Sequence, residues 1–179
     1  MRPISLLVAG MAIAVGNLAQ GAPTISHDVA GRRVTMTDAQ NTLTLRLRYD
    51  DRCMLDRVVV RGRDVVSETL GVCGTLRVGS VECHTRDGIA APQVEVSKDT
   101  VTVAGIRFGQ QGVSAEDVWT FTVEDRRILW RIARHYLTAG TLEDAGFPSW
   151  EFTNRSTWTG ALLGTGGVAW FKLFDTPTA

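Results

Sequence analysis

The chain has 179 residues, 44% hydrophobic and 21% charged, with 19 basic and 19 acidic side chains. That composition belongs to a globular protein of one domain and excludes a disordered or low-complexity chain. A formal charge of zero lacks the basic excess that a nucleic-acid partner requires.

Residues 1–21 read as a secretory signal peptide. Met1-Arg2-Pro3 is a short basic start, Ile4 to Val15 is an apolar run, Gly16-Asn17 breaks it, and Ala19-Gln20-Gly21 supplies small residues for cleavage. The run is too short for a membrane-spanning helix, which needs about 20 apolar residues. No cysteine follows it, so no lipid or membrane anchor is expected. The expected location is secreted or periplasmic, with residues 22–179 forming the domain.

The body alternates with period two, the mark of half-buried strands. Val34 and Met36 alternate with Thr35 and Thr37. Leu43, Leu45, Leu47 and Tyr49 then share one parity, with Thr42, Thr44, Arg46 and Arg48 on the other. Asp38-Ala39-Gln40-Asn41 has the turn chemistry to join the two strands into a hairpin. Leu55 to Val60 is the next strand, followed by Gly62 and a short extended piece near Val65-Val66. One further strand runs from Leu76 and Val78 towards Glu82.

Val94–Val96 and Val101–Val103 flank a turn at Lys98-Asp99, and Gly105 predicts a bulge before Ile106 and Phe108. Trp119, Phe121 and Val123 share a parity, as do Ile128, Trp130 and Ile132, with Glu124-Asp125-Arg126-Arg127 between them. Ser149–Thr153 and Val168–Phe174 close the series. The glycines Gly160, Gly164, Gly166 and Gly167 read as a loop. Gly164-Thr165-Gly166-Gly167 is no phosphate cradle, because no Lys-Ser/Thr and no helix follow. The expected fold is all-β, an antiparallel β-sandwich.

The residues that carry chemistry are few. Cys53, Cys73 and Cys83 allow either one disulfide with a thiol left over or three buried reduced thiols. Cys83-His84 lacks the paired spacing of a zinc site, and no metal or cofactor is expected. His27, His84 and His135 stand in no serine- or thiol-hydrolase motif, so no catalytic residue is assigned. Glu143-Asp144 and Glu151 could pair for glycosidic cleavage, but Asp and Glu are so often simply exposed that solvated loop acids are the favoured reading. Trp119 and Trp130 are expected in the core. Trp150 and Trp158 lie near Pro148, Asn154 and Gly160, in expected turns. They are the ligand-binding candidates, with Glu151 beside them, because an exposed indole can stack on the apolar face of a sugar. Asn154-Arg155-Ser156 matches a glycosylation acceptor, which matters only in a glycosylating host.

Two series of residues carry a resemblance. Val34-Thr35-Met36-Thr37, Leu43-Thr44-Leu45-Arg46-Leu47 and the run from Leu55 to Val65 resemble the opening of a galactose-mutarotase-like β-supersandwich. So does the later series Trp119–Phe121, Ile128–Ile132 and Phe147–Phe152. Such a domain precedes an (α/α)-barrel catalytic domain in large secreted bacterial glycoside hydrolases. The resemblance implies a non-catalytic, carbohydrate-associated module, with a glycan and a catalytic helical domain as partners. This chain is shorter than such supersandwiches, and no helical domain follows Phe174 in it. Sugar-isomerase relatives use a His and a carboxylate as acid and base, but no motif carries either role onto His84, His135 or any Glu here. The alternatives are an aldose epimerase or mutarotase-like enzyme, and an exported protein-interaction module without sugar binding.

Overall fold

A computed structural model of the chain describes residues 21–110 and 112–153, together with the backbone of 159–164 and 167–172. The expected signal peptide therefore lies almost wholly outside the described residues.

The first seven strands are β1 (Thr24–Asp28), β2 (Arg33–Thr37), β3 (Leu43–Arg48), β4 (Met54–Val60), β5 (Arg63–Asp64), β6 (Val72–Val78) and β7 (Val81–His84). The remainder are β8 (Gln93–Val96), β9 (Thr100–Gln110), β10 (Val113–Val123), β11 (Ile128–Tyr136), β12 (Asp144–Trp150), β13 (Thr159–Gly164) and β14 (Gly167–Lys172). An eight-stranded antiparallel sheet runs β1-β2-β3-β4-β6-β12, with β5 on β4 and β7 on β6; a four-stranded sheet runs β11-β10-β9-β8. One core joins them: Val34, Leu47 and Leu55 of the first sheet pack with Val101, Trp119 and Phe121 of the second. This is the expected all-β sandwich.

Local chemistry explains the first hairpin. Val34 faces Leu47 and Met36 faces Leu45 across β2 and β3. Asp38, in the connecting turn, is 1% exposed. Its carboxylate accepts hydrogen bonds from the Thr42 amide at 2.7 Å, the Leu43 amide at 3.2 Å and the Thr42 hydroxyl at 2.5 Å. Asn41, with φ 54°, takes the left-handed position that Asn tolerates.

The expected bulge is present. Asp117 faces Ile106 and Trp119 faces Val103, so two residues of β9 oppose Val118 alone. Gly105 adopts φ 76° there, a conformation that suits glycine. Trp119 is fully buried, and Trp130 packs edge-on to it at 4.9 Å while stacking on Phe121 at 5.1 Å.

Four local details differ from the sequence reading. β1 adds a strand that the reading did not place. The stretch 76–82 divides into β6 and β7. Trp150 ends a strand, paired with Val72, rather than sitting in a turn. Gly160, Gly164 and Gly167 belong to paired strands β13 and β14 rather than a loop. Glycine is unfavourable in a strand interior yet not excluded from it, which is why composition misplaced the last pair.

The two sheets are tied by one buried ion pair. Arg134 of β11 and Asp117 of β10 are direct cross-strand partners, with side chains 2% and 0% exposed. Nε and Nη2 of Arg134 donate to the two carboxylate oxygens of Asp117 at 2.6 and 2.8 Å. Nη1 donates across to the Thr75 carbonyl of β6 at 3.1 Å, and Nη2 to the Gly146 carbonyl of β12 at 3.4 Å. The guanidinium lies 3.9 Å from the Phe147 ring centre and 4.9 Å from that of Phe108. A Cβ on Gly74 would sit 2.8 Å from Arg134 Nη2, so only glycine leaves room for the clasp.

Two predictions follow from these contacts. Asp117→Ala strands a buried guanidinium and is expected to cost about 3–5 kcal/mol in urea unfolding. Asp117→Leu with Arg134→Met removes both charges and should recover most of that loss; a double variant worse than the single one contradicts the clasp.

The second prediction concerns pH. Burial by itself would raise the pKa of Asp38, but the Thr42 hydroxyl and the amides of Leu43, Thr42 and Gln40 outweigh it and hold the carboxyl below its ordinary value. A depressed carboxyl contributes stability above its unfolded pKa and loses it as pH falls through the folded value. The Tm gap between the unmodified protein and Asp38→Asn should therefore be widest near neutrality and shrink below about pH 4. A gap that grows on acidification contradicts this reading.

Candidate functional site: an apolar cleft beside β11

An apolar cleft opens beside the end of β11 away from the Arg134 clasp. The opening is a cleft of about 440 Å³. Leu43 and Leu45 of β3, with Leu55, Val58 and Val60 of β4, form one wall. Ile128 and Trp130 of β11 form the other, and Val65, Trp150 and Phe152 close the mouth. The wall residues derive from the inward parity of β3 and β11, so strand alternation supplies the lining. Among the described residues, no charged side chain lines it.

Trp150 and Phe152 stack at 5.5 Å with 19° between ring planes, and Trp150 remains 39% exposed. Backbone bonds pin this segment. The Glu151 amide donates to the Gly71 carbonyl and the Ser67 amide donates to the Glu151 carbonyl, both at 2.9 Å. The Thr153 amide donates to the Val65 carbonyl at 3.1 Å, and Val66 bridges to Phe152. Glu151, between the two rings, does not line the cleft. Trp158 lies outside the described residues, as does Asn154-Arg155-Ser156.

Trp130 Nε1 is buried in the cleft wall without a hydrogen-bond partner, the one such side-chain atom among the described residues. An unpaired buried donor costs about 1–3 kcal/mol. Two signals in the sequence could have exposed this architecture. Asp117 and Arg134 both fall on apolar parities, in Val113-Ala115-Asp117-Trp119-Phe121 and in Ile128-Trp130-Ile132-Arg134. The cleft has no counterpart in the sequence pattern.

The other chemistry-bearing residues stand apart from the cleft. His27 Nε2 lies 2.6 Å from the Tyr49 hydroxyl. His84 sits between Asp87, 2.5 Å from Nδ1, and Glu82, 3.4 Å from Nε2. His135 is exposed opposite Glu116. Glu143 and Asp144 are exposed, Asp144 lying 3.8 Å from Arg77. Among the described residues, no three His, Cys, Asp or Glu side chains are grouped to hold a metal.

All three cysteines are free and buried. Burial pushes the Cys53 thiol well above its ordinary value and Cys73 up to about 11, against the opposing pull of Arg86 on Cys73. Burial also raises Cys83. A thiol held protonated is a poor nucleophile, so these side chains act as small core residues.

Compared with protein families, curated proteins and solved structures, the chain matches none. The functional reading therefore rests on the chemistry of the cleft.

The aromatic residues differ in what they support. Trp119→Ala is expected to cost about 3–5 kcal/mol, as core truncations do. Trp150→Ala removes an exposed aromatic pair and should cost only about 0.5–1.5 kcal/mol. Equal losses in chemical denaturation would place Trp150 in the core.

Proposed function

We propose that this protein is an exported, non-catalytic interaction module that takes an extended apolar segment of a partner into the cleft beside β11. The observation that carries this reading is the uniformly apolar lining. A sugar hydroxyl placed against such walls would lose its water hydrogen bonds without replacement, at a cost of about 2–7 kcal/mol each. An extended peptide meets the cleft differently. Its backbone can pair with the outer edge of β11, which carries no strand among the described residues. Its alternate apolar side chains can then enter the cleft, the two halves of strand-addition recognition.

A second reading keeps the carbohydrate association that the supersandwich resemblance implies. The half-exposed Trp150 indole, backed by Phe152, favours it as a stacking platform at the cleft mouth. The epimerase alternative draws less support, because the histidines stand outside the cleft.

The test titrates the full chain with a synthetic nine-residue peptide alternating Val and Thr, and in parallel with a panel of oligosaccharides, following tryptophan fluorescence and heat. Saturable peptide binding is expected, weakened at least about tenfold by Trp150→Ala. Saturable oligosaccharide binding that Trp150→Ala abolishes, with no response to peptide, would replace this reading with the glycan one.

A further inference from the structure

The hydrogen-bonding phase of β11 is fixed at both of its ends. The Glu124 amide donates to the Arg127 carbonyl at 2.9 Å, and the Leu137 amide donates to the Ser114 carbonyl at 2.8 Å. Both pairs continue the unbroken register of β10 and β11, in which Phe121 faces Trp130 and Thr120 faces Arg131. Hydrogen-bonded and non-hydrogen-bonded pairs alternate along an antiparallel ladder. Leu129, Arg131, Ala133 and His135 therefore direct their backbone groups at β10. Ile128, Trp130, Ile132, Arg134 and Tyr136 direct theirs at the outer edge, which carries no strand among the described residues.

Ile128 and Trp130 are also the β11 residues that line the cleft. Directly opposed residues share one face of a sheet. In an antiparallel strand added at this edge, the residues that bond to Ile128, Trp130 and Ile132 thus turn their side chains towards the cleft. The added residue opposite Arg131 stands on the solvent face, in the close non-bonded spacing of about 4.5 Å between Cα atoms.

Arg131 is the charge at that spot. It is exposed, and its neighbour on β10 is Thr120. Arg127 reaches Glu124 at 2.6 Å and Arg134 reaches Asp117 at 2.6 Å, whereas the Arg131 side chain has no ion-pair partner among the described residues. An acid directly across the strands complements it, and a base there is repelled. Every pair within the four-stranded sheet is antiparallel. Parallel pairing is slightly less stable per residue, so the antiparallel direction is favoured for an added strand.

We infer that the partner segment runs antiparallel to β11 with apolar side chains opposite Ile128, Trp130 and Ile132 and a carboxylate opposite Arg131. This rests on the reading of the cleft as a strand-receiving site and adds the direction, register and charge of its occupant.

Calorimetric titration of the full chain with the alternating Val/Thr peptide, and with three derivatives carrying Glu, Gln or Lys in place of one inner Thr, tests the charge. The Glu peptide is expected to bind at least about threefold tighter than the Gln peptide, and the Lys peptide more weakly than either. Arg131→Glu, an exposed substitution, should reverse that order with Tm unchanged. The same order in both proteins, or equal affinity for all three peptides, overturns the inference and leaves the cleft reading standing. N-methylation tests the ladder. On an inner Val it removes an amide that bonds to β11 and should weaken binding at least about tenfold; on an inner Thr it removes one that points away and should change little. Reversed sensitivity would assign a parallel strand, and equal tolerance of both would remove strand pairing; either result overturns the inference. If no peptide binds at all, the partner reading falls with it.

Discussion

Everything in this fold is organised around a charge that has been taken out of water. Arg134 reaches from the four-stranded sheet, satisfies both oxygens of Asp117, and donates to carbonyls of β6 and β12 in the opposite sheet. A buried guanidinium tolerates no sliding, because each lost hydrogen bond leaves an unpaired charge in a medium of low dielectric. The apolar core between the sheets is non-directional and would accept several alignments. The clasp selects one. Gly74 records the same constraint in the backbone, since any side chain there would occupy the space of the ion pair.

The position of the clasp also explains where the molecule is open. Arg134 lies towards the end of β11, and Trp130 lies four residues earlier, about 13 Å along the strand. The clasp lies at one end of β11, and at the other Ile128 and Trp130 line the cleft together with Leu45 and Val58. The unpaired Trp130 Nε1 sits in this less complete part of the core.

The outer face of the eight-stranded sheet carries a different kind of charge. Arg46 reaches Asp56 at 2.7 Å, Arg57 reaches Asp64 at 2.9 Å and Arg48 reaches Asp50 at 2.6 Å. Except for Asp56, which is the extra residue of a bulge on β4, these groups are at least partly solvated. Exposed pairs of this kind contribute little to stability, at most about 1 kcal/mol each. They set acids against the arginine-rich parity, in keeping with the neutral overall composition.

The strands and the turns were legible because both are local. Period two in Leu43–Tyr49 and Trp119–Val123 states which side chains face inward, and Asp38 with Asn41 states where the chain reverses. The Gly105 bulge was legible for the same reason: a backbone that must adopt positive φ names its own residue. The partners across the sandwich were not. Asp117 and Arg134 went unnoticed in the sequence although both are charges on apolar parities, and only the packing of two sheets decided that they meet each other and the carbonyls beyond. Of the candidate site residues, Trp150 was identified by type but misplaced in a turn, while the cleft around it went unseen. By itself the sequence determined which backbone would be extended and which faces would be oily. The tertiary structure decided how far apart those faces stand, because separation between sheets depends on side chains distant in the chain, and no local period encodes it.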